Sequence, residues 1–167
     1  MPTYQMAPSY DSTKSLSWVE KTYQLYLPEY VVLTFIMMLG FYTLLRAFGI
    51  SAWLAGLGGV IWAFSSYFFI LIPAGHIWKF VTLAYIPPTI AGIVLAYRRK
   101  YLLGGIITAL FIALQIRSNH IQMSYYFMFV ILFIIGAYFE EAYKKKELTH
   151  FFKASAILAL AAMVGVW

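Results

Sequence analysis

From residue 30 onward the chain alternates between long apolar runs and short polar joints. A helix needs about 20 predominantly apolar residues to cross a hydrocarbon layer about 30 Å thick. Runs of that kind lie near 30–48, 52–72, 77–97, 102–118 and 122–141, and a last, partial run extends from about 152 to Trp167. The joints read "FGIS", "PAGH", "RRKY", "SNHIQ" and "EEAYKKKELTH". This pattern predicts an all-α, multi-spanning transmembrane helical bundle of about five full spans plus a truncated sixth. Residues 29–167 form the bundle, and residues 1–28 form a polar segment ahead of it.

Two spans carry internal detail. In "AWLAGLGGVIWA" (52–63), Ala52, Ala55, Gly56 and Gly59 place small residues at helical spacing, which lets backbones approach closely in lipid. Pro87 and Pro88 remove two backbone donors in mid-span, so that helix is expected to kink or open. Residues 1–28 lack the charged start, apolar middle and cleavage site of a signal peptide. Within them, Ser15 to Leu27 predicts a short interfacial helix, with Leu16, Val19, Tyr23 and Tyr26 near one face.

Composition supports lipid as the solvent. Of the 167 residues, 63% are hydrophobic and only 11% charged, against about 45–50% and 25% in soluble domains. The chain has no cysteine, which excludes disulfides, zinc–thiolate sites and cysteine nucleophiles.

The formal charge of +6 fits no nucleic-acid groove, because the cations sit in short clusters at the ends of apolar runs. Alternate joints hold Arg46, then Arg98, Arg99 and Lys100, then Lys144, Lys145, Lys146 and Lys153. The opposite set holds only Lys14, Lys21, Lys79 and Arg117. The positive-inside rule puts the first set in the cytoplasm. Residues 1–28 and the 73–79 and 115–122 segments are then extracytoplasmic.

Two polar islands share that outer face. His76 and Lys79 are three residues apart at the start of one span, and Arg117 and His120 at the end of another, a spacing that shares a helix face. Gln115, Asn119, Gln122 and Tyr125 add donors and acceptors. The plain role for such groups is anchoring: long cations snorkel, and aromatics such as Trp78 and Tyr85 sit in the headgroup belt. Anchoring does not call for amides beside the charges. The second role is a convergent substrate site of His76, Lys79, Arg117, Asn119, His120 and Gln122, with the cations suited to a phosphate and a histidine able to donate or shuttle a proton.

Other chemistries do not fit. The histidines lack ligand-spaced partners, so no metal site is expected. No outer joint after the first span carries the acid of a serine triad. "GLGG" lies inside a span, without the Lys-Ser/Thr of a phosphate loop. Of the outer carboxylates Asp11, Glu20 and Glu29, Asp11 is at best a weak candidate for a general base.

The stretches "MPTYQMAPSYDS", "LSWVEK", "WAFSSYFFILIPAGHIWK" and "RRKYLLGGIITALFIALQIRSNHIQMSYYF" resemble the YfhO-like bacterial membrane proteins over essentially the whole chain. That family is similar to GT-C glycosyltransferases, multi-spanning enzymes that move a sugar from a polyprenyl-phosphate lipid to a cell-envelope glycopolymer or related acceptor. The resemblance implies a bacterial cytoplasmic-membrane protein, a lipid-linked sugar donor in place of a soluble cofactor, and no nucleic-acid partner. It maps His76 onto the family's "AGH" motif, and Asn119, His120 and Gln122 onto its "NH.Q" motif. In the family the catalytic acid lies in the first outer loop, ahead of the segment matching "MPTYQ". The chain is accordingly expected to be an internal fragment, with that acid upstream of Met1 and no activity by itself. The alternative is a segment of a transporter or lipid-linked-sugar flippase, which would place ionisable groups near mid-span.

Overall fold

A computed structural model of the chain describes residues 29–118 and 120–166. Within them the chain forms seven helices: α1 (Glu29–Ala47), α2 (Ala52–Ala63), α3 (Ser66–Leu71), α4 (Ile77–Tyr97), α5 (Tyr101–Arg117), α6 (Ile121–Lys145) and α7 (Leu148–Val166). The chain divides into two compact units, residues 1–32 and 33–167. Of the first unit only the opening turn of α1 is described, and the expected helix over 15–27 and Asp11 lie outside the described residues. The second unit is the helical bundle.

Five stretches are long and apolar enough to cross a membrane: 30–47, 52–71, 78–97, 121–145 and 148–166. The outward faces of the helices are apolar, with Trp53 on α2, Leu102 on α5, and Ile121 and Phe133 on α6 largely exposed. Apolar surface on this scale is matched by lipid rather than water. The protein is an all-α, multi-pass membrane protein.

Four span expectations are corrected. The run 52–72 breaks at Phe64 and Ser65, where Ser65 is extended at ψ 134°. The break swings α3 so that Phe68 meets Trp62 edge-on at 5.2 Å and Phe80 at 6.1 Å, burying Phe68 and Leu71. Helix α5 has 17 residues, at the short end of the range of about 17–25 that crosses a membrane, and is not among the five longer stretches. Helix α6 runs to Lys145, past the expected end at 141, carried on by Glu140–Lys144 and Glu141–Lys145 pairs one turn apart, each at 2.5 Å. The last run is a full 19-residue helix, because it begins at Leu148 and takes Thr149 and His150 into its first turn.

Helix α4 is the hub. Its span is 78% buried, against 6% for α6, which decides which helix the others pack around. Its first half joins Leu33 and Met37 of α1, and Phe68 and Leu71 of α3, in one apolar cluster. Its middle packs Ala91 and Val94 on Leu44 and Ala47 of α1. Its end joins Ile93, Ala96 and Tyr97 to Ala142 of α6 and Phe151, Ala154 and Leu158 of α7. The two prolines do not open it: α4 is continuous from 77 to 97, and buried Pro88 faces α1 at Gly40, where a Cβ would lie 2.7 Å from the ring. Tyr85 is not in a headgroup belt. It is 3% exposed in the core, its ring 6.0 Å from Phe111, while Trp78 is exposed.

Small residues set the closest approaches. A Cβ on Gly92 or Gly104 would come within 2.5 Å of α5 or α4 respectively, so these helices touch backbone to backbone. In α2, Ala55, Gly59 and Ala63 are buried, and a Cβ on Gly59 would lie 2.7 Å from the Met38 carbonyl. Gly56 meets nothing within 4 Å, and Ala52 is exposed. Half of the expected small-residue face is therefore used.

Four joints close in one way. The amides of Ile50, His76, Lys100 and Glu147 return to the carbonyls five residues back, at Leu45, Leu71, Leu95 and Ala142. Each is preceded by a left-handed residue: Gly49, Gly75, Arg99 or Lys146. Arg98 Nη2 donates to the Phe48 carbonyl at 3.2 Å, and Arg99 pairs with Glu147 at 2.7 Å. The three basic joints thus meet at one end of the bundle, as their alternation along the chain predicts.

Candidate functional site

The two polar islands occupy the other end. Thr82, one turn along α4 from Lys79, and Ser118, directly after Arg117, bring their hydroxyls to 2.6 Å. Thr82 Oγ1 also lies 2.8 Å from the Trp78 carbonyl, and Ser118 Oγ 2.6 Å from the Gln115 carbonyl. The two hydroxyls hold two protons for three short contacts, so one carbonyl goes without a hydroxyl donor in either arrangement. Both hydroxyls are buried, which gives the bond its value where water does not compete.

Around this anchor the predicted residues take distinct positions. His76 precedes α4, its carbonyl accepting from the Phe80 amide, and its imidazole is exposed. Lys79 is half-buried, with Nζ 5.6 Å from the centre of the Tyr67 ring, a cation–π contact with α3. Arg117 is half-buried at the last position of α5. Asn119 lies outside the described residues.

His120 does not share a helix face with Arg117, contrary to the three-residue spacing. Helix α5 ends at Arg117, and His120 caps α6 with Nδ1 accepting from the Met123 amide at 3.3 Å. Nδ1 is therefore an acceptor, and the neutral ring carries its proton on Nε2. Gln122 is exposed on the first turn of α6, with Nε2 3.4 Å from the Tyr126 hydroxyl.

The structure thus gathers the start of α4, the end of α5 and the start of α6, but it assigns His120 first to a cap and Lys79 first to an aromatic ring. The residues that join the islands, Thr82 and Ser118, are absent from the predicted set. The available signal was Thr82 three residues beyond Lys79 on an otherwise apolar face. Gln115 is 4% exposed, and its side-chain oxygen has no hydrogen-bond partner among the described residues. A buried acceptor in that state costs about 1–3 kcal/mol until a donor reaches it. Among the described residues no three His, Asp or Glu side chains come together as a metal site.

The arrangement can present two cations, an imidazole and a buried amide at one membrane face. No protein-family model, curated protein or solved structure matches the chain.

Proposed function

We propose that the chain is part of a YfhO-like, GT-C type glycosyltransferase of the bacterial cytoplasmic membrane, and that the α4–α5–α6 end engages the phosphate of a polyprenyl-linked sugar donor on the outer face. The observation that carries this reading is the Thr82–Ser118 contact of 2.6 Å, which sets the helix ends bearing Lys79 and Arg117 side by side. Two cations at one site suit the charge that builds on a departing lipid phosphate. His120 Nε2–H is a donor for a sugar or phosphate oxygen, and Gln115 is an acceptor for a sugar hydroxyl. The general base comes from outside this cluster, as the family resemblance implies. The orientation, with Arg98–Lys100 and Lys144–Lys146 cytoplasmic, follows from their excess of positive charge.

The test is sugar transfer from a polyprenyl-phosphate donor in membranes carrying the full protein, comparing Lys79→Gln, Arg117→Gln and His120→Asn. Asparagine keeps a helix-capping acceptor while removing the imidazole, so a loss in His120→Asn reports on chemistry rather than on the cap. Losses of tenfold or more at normal protein levels are expected for Arg117→Gln, about the worth of one charge-assisted contact in a transition state. Full transfer in all three variants would reduce the cluster to an interfacial anchor.

A further inference from the structure

The basic end of the bundle holds a second site. An open cavity of about 430 Å³ lies between the end of α4, the end of α6 and the first turn of α7. Its floor is aromatic: the Tyr97 ring stacks on Tyr138 at 4.5 Å and on Phe151 at 5.5 Å. Its rim is charged, with Arg98, Arg99 and Lys145 facing Glu141 and Glu147.

Pairing decides what that rim attracts. Glu147 is engaged by Arg99 at 2.7 Å, and Glu141 by Lys145 at 2.5 Å. That leaves Arg98, which is steadied by neutral groups, the Phe48 carbonyl at 3.2 Å and the Tyr138 hydroxyl. A guanidinium has five N–H donors in a planar fork, so donors remain beyond those two contacts. The surroundings share its sign: eight cations, Arg46, Arg98, Arg99, Lys100, Lys144, Lys145, Lys146 and Lys153, face three carboxylates, Glu140, Glu141 and Glu147. Helix α7 begins here with partial positive charge, which the negative dipole ends of α4 and α6 offset, so the attraction rests on the side-chain cations.

We infer that this cavity binds the phosphate of an anionic headgroup, with Arg98 as its fork and the Tyr97–Tyr138 pair beneath the glycerol or alkyl portion. Basic pockets between spanning helices on the positive side of a bundle are suited to anionic lipids. The lipid-facing surface of α6, including Phe139 and Tyr143, leads acyl chains to the same place. The inference does not depend on glycosyl transfer at the opposite end.

The experiment is retention of lipid by the purified full chain, read by native mass spectrometry after exchange into mixed micelles. The probes are dioleoyl-phosphatidylglycerol, dioleoyl-phosphatidylcholine and inorganic phosphate. Phosphatidylglycerol is expected to be retained over phosphatidylcholine, and Arg98→Gln to weaken that retention about fivefold. Arg46→Gln removes an equal charge from the same end outside the cavity and is expected to change it less. Arg98→Lys keeps the charge and a donor for Phe48, so it guards against a variant that fails to fold, and should fall between the two. Displacement of phosphatidylglycerol by millimolar phosphate would assign the site to soluble phosphate compounds, and resistance to it would assign the site to lipid. Equal retention of both lipids, or equal loss in Arg46→Gln and Arg98→Gln, would overturn the inference.

Discussion

Thr82 and Ser118 sit 36 residues apart in sequence, yet their hydroxyls are 2.6 Å apart at the end of the bundle opposite the basic joints. This bond closes the α4–α5 hairpin at its open end, while the joint at Arg98–Lys100 closes the other. In lipid such a bond forms without competition from water, although neighbouring chain groups can also satisfy either hydroxyl once it is broken.

Thr82→Val and Ser118→Ala should therefore each destabilise the bundle by about 1 kcal/mol. The double variant should lose less than the sum, with a coupling of about 0.6 kcal/mol or more. Reversible unfolding in mixed micelles measures all four corners of the cycle. Strictly additive losses would mean that the hydroxyls act separately, and Lys79 and Arg117 would lose the anchor that sets their helix ends together.

The backbone contact between α4 and α5 gives a larger effect. A Cβ at Gly104 would meet the Ala96 nitrogen at 2.5 Å and the Gly92 carbonyl oxygen at 2.6 Å, and backbone atoms cannot swing aside. Gly104→Ala should cost about 1–3 kcal/mol, as overpacking does elsewhere. Gly136→Ala on α6, where a Cβ meets nothing within 4 Å, should be neutral or slightly stabilising in the same unfolding assay.

Much of this architecture is legible in the sequence because bilayer thickness and backbone satisfaction leave few choices. The run lengths give the helices, and the alternation of Arg98–Lys100 with "SNHIQ" gives the two ends. Less legible is whatever depends on which side chain wins a local contest. Ser65 breaks a run that hydropathy reads as continuous, because Phe68 gains a place among Trp62 and Phe80. His120 looks like the partner of Arg117 at three residues, but the helix ends between them and the ring caps α6. Tyr85 has the composition of a belt residue and the location of a core residue, since only packing tells the two apart.

The most visible ion pair should matter least to stability. Arg99 and Glu147 meet at 2.7 Å, but their side chains are 63% and 45% exposed, and exposed pairs contribute only about 0.2–1 kcal/mol. Glu147→Gln should shift the unfolding free energy by no more than about 1 kcal/mol, and raising salt should erase most of that shift. Neutralising Glu147 also frees Arg99, so phosphatidylglycerol retention should rise, giving a change in binding with almost none in stability.

The left-handed joints offer a gain rather than a loss. Lys146 adopts φ 57° and ψ 30° so that the Glu147 amide can return to the Ala142 carbonyl at 2.9 Å. A residue with a Cβ pays about 1–2 kcal/mol for that conformation, and glycine does not. The Lys146 side chain is exposed, so its removal costs little packing. Part of the relief is returned because glycine is more flexible in the unfolded chain. Lys146→Gly should therefore stabilise the protein by about 0.5–1 kcal/mol, and Lys146→Val should destabilise it, since a β-branched residue resists positive φ. The equivalent joint at Gly75, with φ 74° and open space around its Cβ position, tests the same rule in reverse. Gly75→Ala should lose about 1 kcal/mol through backbone conformation alone. Opposite signs at Lys146 and Gly75 in the same unfolding assay are the expected result; a loss at both would mean that the Lys146 side chain holds the α6–α7 joint in a way its exposure does not reveal.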